Sequence, residues 1–398
     1  MYHSAINCDS NAGNFVSKPF LSHNMAGDLL GRLYGIEAKR LRELPSYYDQ
    51  NFYVRVLGED GRGGKDCGKF VLKVINGDES EQQAGCYQEI VRVLCSLQGE
   101  DGVAYPMPLK NLQGGYLSLQ RFHRRSDGAQ GLFLILLLSY VPGTVLSDVE
   151  LTNQDLYGVG RAVASLNKKL LEYKGPVDRL KERANTCKWC LTSVAEVKRF
   201  IDGVPDAEQR SLAGSVLDRF LREVKPMEKT MRKGLIHTDM NRGNILAQPS
   251  LGPINEKLGT NDVKPTIHQS VSHIVSGIID FNDMALECLV YDVAGSLMDI
   301  MLGCKDKQPL VAGGHFLAGY TSVVQLTRME WQSLYVSTAA RLVQILVLSL
   351  DDFRQSNQSN EYIMRFERAG GWEMLKELWE TPQQKVEALW EELSINRH

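Results

Sequence analysis

The sequence predicts an α+β fold in two lobes, an N-terminal antiparallel five-stranded sheet with one packed helix and then a mostly helical C-terminal lobe. Three observations carry that expectation. Residues 40–140 hold five runs rich in β-branched, aromatic and other apolar residues around a single helical stretch. Val141-Pro-Gly143 breaks the chain straight after its most apolar run. From Thr152 onward, apolar residues recur at helical spacing. A chain of 398 residues exceeds one ordinary domain and suits two lobes that share a cleft.

Residues 1–22 are polar and rich in Asn and Ser, and read as a flexible N-terminal tail; 23–142 would form the first lobe and 143–398 the second. Ser22 is placed to cap a helix whose apolar residues Met25, Leu29, Leu30, Leu33 and Tyr34 share one face. Strands follow at Arg40–Leu44, Phe52–Leu57 and Lys69–Ile75, the last two joined by the glycine-rich stretch Gly58–Gly68. Residues 79–98 read as a helix, and further strands fall at Tyr116–Arg121 and Leu132–Tyr140. The Pro-Gly pair after them suits a hinge between lobes. Helices are expected over 155–172, 208–232 and 328–351, whereas 235–281 reads as loops between short strands. Within it, Gln248–Gln269 is rich in Pro, Gly and Asn and reads as a surface insertion.

A formal net charge of −3 argues against coating nucleic acid or a membrane surface. The greasiest run, Leu132–Leu138, is too short to cross a bilayer and suits a buried strand. Met1–Ser10 lacks the basic and apolar segments of a secretory leader, so a reducing, cytoplasmic setting is expected, with the sequon Asn357-Gln-Ser359 idle. Eight cysteines make no dense disulfide framework; the solitary pair Cys187-Lys-Trp-Cys190 lacks a second pair for zinc and reads as ordinary thiols.

The chemistry concentrates in Gly234-Leu-Ile-His-Thr-Asp-Met-Asn-Arg-Gly-Asn-Ile-Leu246 and Ile278-Ile-Asp-Phe-Asn-Asp283. His237, Asp239 and Asn244 have the spacing H-x-D-x-x-x-x-N, and Asp280 follows a short apolar run and precedes Phe281. Phosphoryl transfer from a nucleoside triphosphate needs a carboxylate to receive the hydroxyl proton, and a carboxylate with an amide oxygen to hold Mg²⁺ against the phosphates. Asp239, Asp280 and Asn244 supply those groups. His237 reads as a brace for the loop, and Asp292, at the start of an apolar helix, as a structural acid.

Lys73 lies centrally in an apolar strand, where its charge needs a partner. Triphosphate oxygens would provide one, with a helical carboxylate holding the ammonium; Glu89 is the candidate and Glu81 the runner-up. A solvated lysine on the open face is the alternative. Pro45–Asn51 fills the turn between the first two strands. Its backbone and the Ser46, Gln50 and Asn51 side chains suit phosphates, although a plain polar turn has equal claim on the residues alone. Asp283, three residues past Asp280, is placed to meet a substrate amine. Arg341 is placed for a substrate carboxylate or for a salt bridge to a neighbouring helix.

These motifs resemble those of the aminoglycoside phosphotransferase and choline kinase family, across roughly residues 25–390 and most closely over 234–302. The resemblance implies a protein-kinase-like fold, Asp239 as base, Asn244 and Asp280 as Mg²⁺ ligands, and Lys73 on the triphosphate. Leu44–Phe52, Asp280–Met284 and Gly313–Tyr320 are similar to the hydroxylysine kinase branch of that family. That likeness implies GTP as donor, 5-hydroxy-L-lysine as acceptor, a place in lysine degradation, and the glycine-free 45–51 turn as a nucleotide loop. It also draws attention to His315, which alone reads as a helix-surface residue.

Two positions depart from the family pattern: Thr238 and Asn282 stand where glycine is frequent. Neither change removes a ligand. The same chemistry on choline, ethanolamine, homoserine or an aminoglycoside is the alternative enzyme reading. Choline would need an aromatic cage, for which Trp331, Trp372, Trp379 and Trp390 are available. A catalytically silent binding module is the reading from another class. The expected partners are a nucleoside triphosphate and a small hydroxylated amine or amino acid; oligomeric state is not legible.

Overall fold

The computed structural model describes residues 18–56, 68–97, 102–125, 127–250, 272–304, 308–356 and 360–395. Residues 1–17 of the expected tail, 58–67 of the glycine-rich loop, 251–270 of the insertion and the sequon at 357–359 lie outside the described residues.

The first lobe opens with β1 (Pro19–Phe20) and α1 (His23–Tyr34). Ser22 caps α1 by accepting a hydrogen bond from the Met25 N–H, and Gly35 ends it in the left-handed conformation that glycine tolerates. There follow β2 (Ala38–Leu44), β3 (Gln50–Val56), β4 (Lys69–Val74), α2 (Gly77–Gln82), α3 (Ala84–Ser96), β5 (Leu117–Arg124) and β6 (Gln130–Ser139). The sheet is antiparallel throughout, in the order β1-β5-β6-β4-β3-β2.

It therefore has six strands, not the expected five. The extra one is β1, a two-residue edge strand drawn from the stretch read as tail, where Pro19 and Phe20 pair with Arg124 and His123. A run of two residues carries no alternation to detect. The expected single helix over 79–98 is likewise two, broken at Gln83, with Asn76 capping α2.

Strand alternation divides the two faces of this sheet. Phe52, Val54, Leu72, Val74, Phe133, Ile135 and Leu137 pack with Ala26, Leu29 and Leu30 of α1 on one side. Lys73 is on the opposite side, in register between Asn51 and Leu136, only 5% exposed and facing the second lobe.

The second lobe begins with β7 (Thr144–Val145), α4 (Asn153–Glu172), α5 (Asp178–Thr186) and α6 (Ala207–Arg219). The expected 208–232 helix stops being α-helical at Arg219, giving way to a π turn over Phe220–Val224 and a 3₁₀ turn over Lys225–Lys229 that carries Pro226. Then come β8 (Lys233–Ile236), β9 (Ile245–Pro249), β10 (His273–Ile278) and β11 (Ala285–Cys288). They form two small sheets, β10-β9-β7 and β11-β8, that present the motif loops between them. At the junction, a Cβ on Gly143 would come within 2.7 Å of the Ser276 hydroxyl and 2.9 Å of the Leu246 Cβ, so the connection requires glycine.

The core of this lobe is made by α7 (Leu289–Gly303), α8 (Pro309–Thr321) and α9 (Arg328–Gln355), closed by α10 (Arg365–Arg368), α11 (Gly371–Glu380) and α12 (Gln383–Ile395). Helix α9 is long and apolar enough to cross a membrane by composition, yet 94% of its most apolar window is buried inside the lobe. Helices α4 and α8 cross closely at Gly160 and Gly319, where added Cβ atoms would fall 2.0 Å from the Phe316 carbonyl and 1.9 Å from the Tyr157 carbonyl. His315 is buried, not on the helix surface as expected, because α4 and α12 cover α8.

Candidate active site

Between the lobes lies a cavity lined by the 45–51 turn, Asn76 and Glu79 from the first lobe, and by both motif loops, Trp189, Arg341, Tyr362 and Arg365 from the second. Lys73 donates to Asp280 Oδ1 at 2.6 Å, joining the central strand to the second motif loop across the cleft. Burial works against the charged Lys73 ammonium, but Asp280 and Asp49 outweigh it and hold its pKa above the usual value. The Asp280 carboxyl is likewise pushed up by burial and pulled down further by Lys73, so it stays ionised. Its side chain is 42% exposed, leaving a hard anionic oxygen toward the cavity.

Asn244 donates its amide N–H groups to the Asp239 carbonyl and to Asp239 Oδ2, both at 2.8 Å. This arrangement pins the aspartate and points the amide oxygen away from it. Asn244 and Asp280 thus offer two oxygen donors of the kind Mg²⁺ takes alongside water and phosphate. Burial and the neighbouring Asp283 push the Asp239 carboxyl up, opposed by Arg365, Arg341 and His237. A carboxylate moved toward neutrality is a better proton acceptor at physiological pH.

The backbone that presents Asp239 is strained. Thr238 adopts φ 66°, the left-handed region, which costs a β-branched residue roughly 1–2 kcal/mol. Three contacts hold it there. Its N–H donates to Asp292 Oδ1 at 2.9 Å, its hydroxyl donates to the Asp283 carbonyl at 2.6 Å, and its carbonyl accepts from Arg341 at 2.8 Å. Asp280 also has positive φ, at 64°, a conformation that aspartate accepts more readily. His237 is fully buried, bonds the Ile279 carbonyl through Nε2 at 3.0 Å, and packs on Phe281, tying one motif loop to the other.

Several expected placements are corrected. Glu89 does not meet Lys73; it caps α5, accepting from the N–H groups of Arg179 and Leu180 at 3.2 and 3.0 Å. Asp280 occupies the ammonium instead, and the side chain of Glu81 lies outside the described residues. Gln50 is fully buried and bonds both backbone groups of Leu21, anchoring α1 instead of facing phosphates. Asn51 and Ser46 do line the cavity, with the Asn51 amide oxygen buried and unpartnered. Arg341 reaches the cavity, but its guanidinium is bound to the carbonyls of Trp189 and Thr238 and to Gln344, so it braces the first motif loop. Asp283 lines the cavity 3.4 Å from Arg183.

Sequence reasoning missed residues that only the fold brings together. Asp49 accepts from the Asn76 N–H at 2.9 Å and from the Asn282 amide at 2.9 Å, linking the 45–51 turn to the second motif loop. Buried Arg183 supports Glu79 at 3.6 Å and Asp283 at 3.4 Å. The 45–49 turn is also clamped to the second lobe: Tyr47 and Tyr48 hydroxyls donate to Asp352 Oδ2, Lys188 donates to its Oδ1 at 2.5 Å, and Asn360 donates to the Tyr47 carbonyl at 3.0 Å. None of Trp331, Trp372, Trp379 and Trp390 lines this cavity; Trp390 is in the core, while Trp372 and Trp379 border a separate groove.

The sequence profile of the phosphotransferase enzyme family matches residues 40–254. Hydroxylysine kinase of Danio rerio is 32% identical over 374 residues, covering 94% of this chain and 96% of its own. The Xenopus laevis enzyme of the same name is 30% identical, covering 94% of each chain. Among solved structures, a microcompartment-associated aminopropanol kinase aligns with TM-score 0.59 and 20% identity over 88% of this chain and 95% of its own. The amicoumacin kinase hAmiN, in complex with AMP-PNP, Ca²⁺ and Ami, aligns with TM-score 0.57 and 14% identity over 87% and 94%. The chain shares the two-lobed kinase-like fold of these structures.

Proposed function

The chain belongs to the phosphotransferase enzyme family and transfers phosphoryl groups to a hydroxyl, and from that premise we propose that its donor is GTP, with ATP the alternative, and its acceptor the 5-hydroxyl of 5-hydroxy-L-lysine. The reaction would serve lysine degradation in a reducing, cytoplasmic compartment; the six free cysteines among the described residues agree with that setting. The acceptor assignment is supported by relatives named hydroxylysine kinase that align over nearly the whole chain.

One observation carries the chemistry: Asp239, Asn244 and Asp280 line one cavity, and Lys73, from the facing lobe, bonds Asp280 behind its wall, while the remaining lining mixes acids with arginines. Asp239 receives the acceptor's hydroxyl proton as its oxygen bonds to the γ-phosphorus. The bond from that phosphorus to the β–γ bridging oxygen breaks, and the nucleoside diphosphate leaves. Lys73 meets phosphate oxygens, exchanging part of its contact with Asp280. Asn244 and Asp280 are the residues that would hold Mg²⁺, which when bound neutralises charge on the phosphates. Ser46, Asn51 and the N–H groups of the 45–51 turn cover the triphosphate. Acidic side chains at Glu79 and Asp283 suit an acceptor with two ammonium groups.

The test is nucleoside diphosphate release from GTP and from ATP across 5-hydroxy-L-lysine, homoserine, choline, ethanolamine and an aminoglycoside. A response confined to hydroxylysine, stronger with GTP, is the expected result. A response to choline alone would overturn the acceptor assignment, and silence with every acceptor would favour a binding module.

A further inference from the structure

The cavity contains two arginines, and they are held differently. Arg341 is 5% exposed and its guanidinium already serves the carbonyls of Trp189 and Thr238 and the Gln344 amide oxygen. Arg183, beneath the wall, is spent on the Asn282 carbonyl, Asp283 and Glu79. Lys73 is spent on Asp280. Arg365 is held by rings alone: its guanidinium lies 4.3 Å from the Tyr362 centroid and 4.5 Å from that of Phe366, and among the described residues no carboxylate or carbonyl accepts from it.

Stacking on aromatic faces fixes a guanidinium in place while leaving its N–H edge open for a planar bidentate partner. Arg365 borders a cavity whose lining sets Asp49, Glu79, Asp239, Asp280 and Asp283 against one other cation, Arg341, which is already bound to protein oxygens. A substrate without an anionic group would leave this cation unmatched; a carboxylate would complete it. Arg365 and Asp239 line the same cavity, so a ligand held by the guanidinium shares it with the reacting hydroxyl.

We propose that Arg365 binds the carboxylate of the amino-acid acceptor and is the residue by which the enzyme selects amino acids over amino alcohols. The assignment rests on the acceptor proposed above. Arg365 is a specificity residue on this view and takes no part in the proton transfer.

The test compares 5-hydroxy-L-lysine with the diamino alcohol left when its carboxylate is removed, each with the parent enzyme, Arg365→Ala and Arg365→Lys. For hydroxylysine, Arg365→Ala should raise KM roughly 10- to 100-fold with kcat nearly unchanged, the size of one charged hydrogen-bonded contact. Arg365→Lys should recover part of that loss. For the diamino alcohol, the parent should be a poor catalyst and Arg365→Ala no worse. Equal losses on both acceptors, a rise in KM for the nucleotide instead, or no loss at all would overturn the assignment. A parent enzyme inactive on hydroxylysine would sink the acceptor reading itself, a failure visible before any variant is made. Unchanged thermal unfolding of Arg365→Ala confirms that the kinetic change is local.

Discussion

At the proposed nucleotide end of the cleft, Asp239, Asn244 and Asp280 come from two short loops and Lys73 from one central strand. At the proposed acceptor end, Glu79, Trp189, Asp283 and the pair Tyr362 and Arg365 come from four separate stretches between positions 79 and 365. The first set is fixed by bonds within and between neighbouring loops, such as Asn244 to Asp239 and His237 to Ile279. The second exists only because packing brings Arg365 on α10 and Trp189 to the same cavity as Glu79 and Asp283. Chemistry common to all phosphoryl transfer can reside in a compact motif, whereas acceptor recognition is assembled by tertiary packing.

Removing the proposed proton acceptor breaks the comparison most severely. Asp239→Ala should lower kcat by about 1,000-fold or more while nucleotide binding, measured by calorimetry, stays close to the parent's. Retained turnover would move the base elsewhere. The contact between the two ends is tested by Arg341→Lys, which cannot satisfy the Trp189 and Thr238 carbonyls and Gln344 together. Misplacement of the Thr238–Asp239 backbone should cost about 100-fold in kcat with little change in KM for the nucleotide, read from steady-state kinetics. A pure rise in the acceptor's KM would instead make Arg341 the carboxylate ligand.

Tyr48→Phe removes one of the three side-chain contacts on Asp352 and should loosen the turn, raising KM for the nucleotide about 5-fold. The smallest effect is on stability. Burial pushes the Glu287 carboxyl up to about 7, against the pull of its bond from the Thr192 N–H. Between pH 4.5 and 7 the folded chain keeps a proton that the unfolded chain has released, so this group makes stability fall as pH rises through that window. Glu287→Gln should therefore raise the melting temperature by a few degrees at pH 8 and hardly at pH 5. An equal shift at both pH values would refute the assignment.

The lobes, most strands and the long helices were legible because burial imposes periods of two and 3.6 residues over five or more positions. Strand β1 was not, being two residues long, and neither was the break at Gln83. At the site, Lys73, Asp239, Asn244 and Asp280 could be singled out by type and spacing. The partner of Lys73 could not: Glu89 has the right charge on the right helix, yet its face turns to the start of α5, and only the fold shows Asp280 taking the ammonium. Gln50 and Asn51 are adjacent in one turn, but strand alternation sends Gln50 to Leu21 and leaves Asn51 on the cavity. Arg365 carried no sequence signal, since a stacked guanidinium 126 residues from Asp239 has no local pattern. Thr238 in place of glycine looked like a departure. The three bonds that hold its positive φ explain how the loop tolerates it.

The central claim is that the four groups at the nucleotide end act on a hydroxyl delivered by the acceptor end. A single-turnover reaction with γ-labelled GTP, Mg²⁺ and 5-hydroxy-L-lysine, its product located by phosphorus NMR, tests it most directly. Label on the 5-oxygen of the amino acid, in amounts matching the enzyme, is the expected result. Label found only in inorganic phosphate or on an amine, or nucleotide bound and left intact, would contradict it.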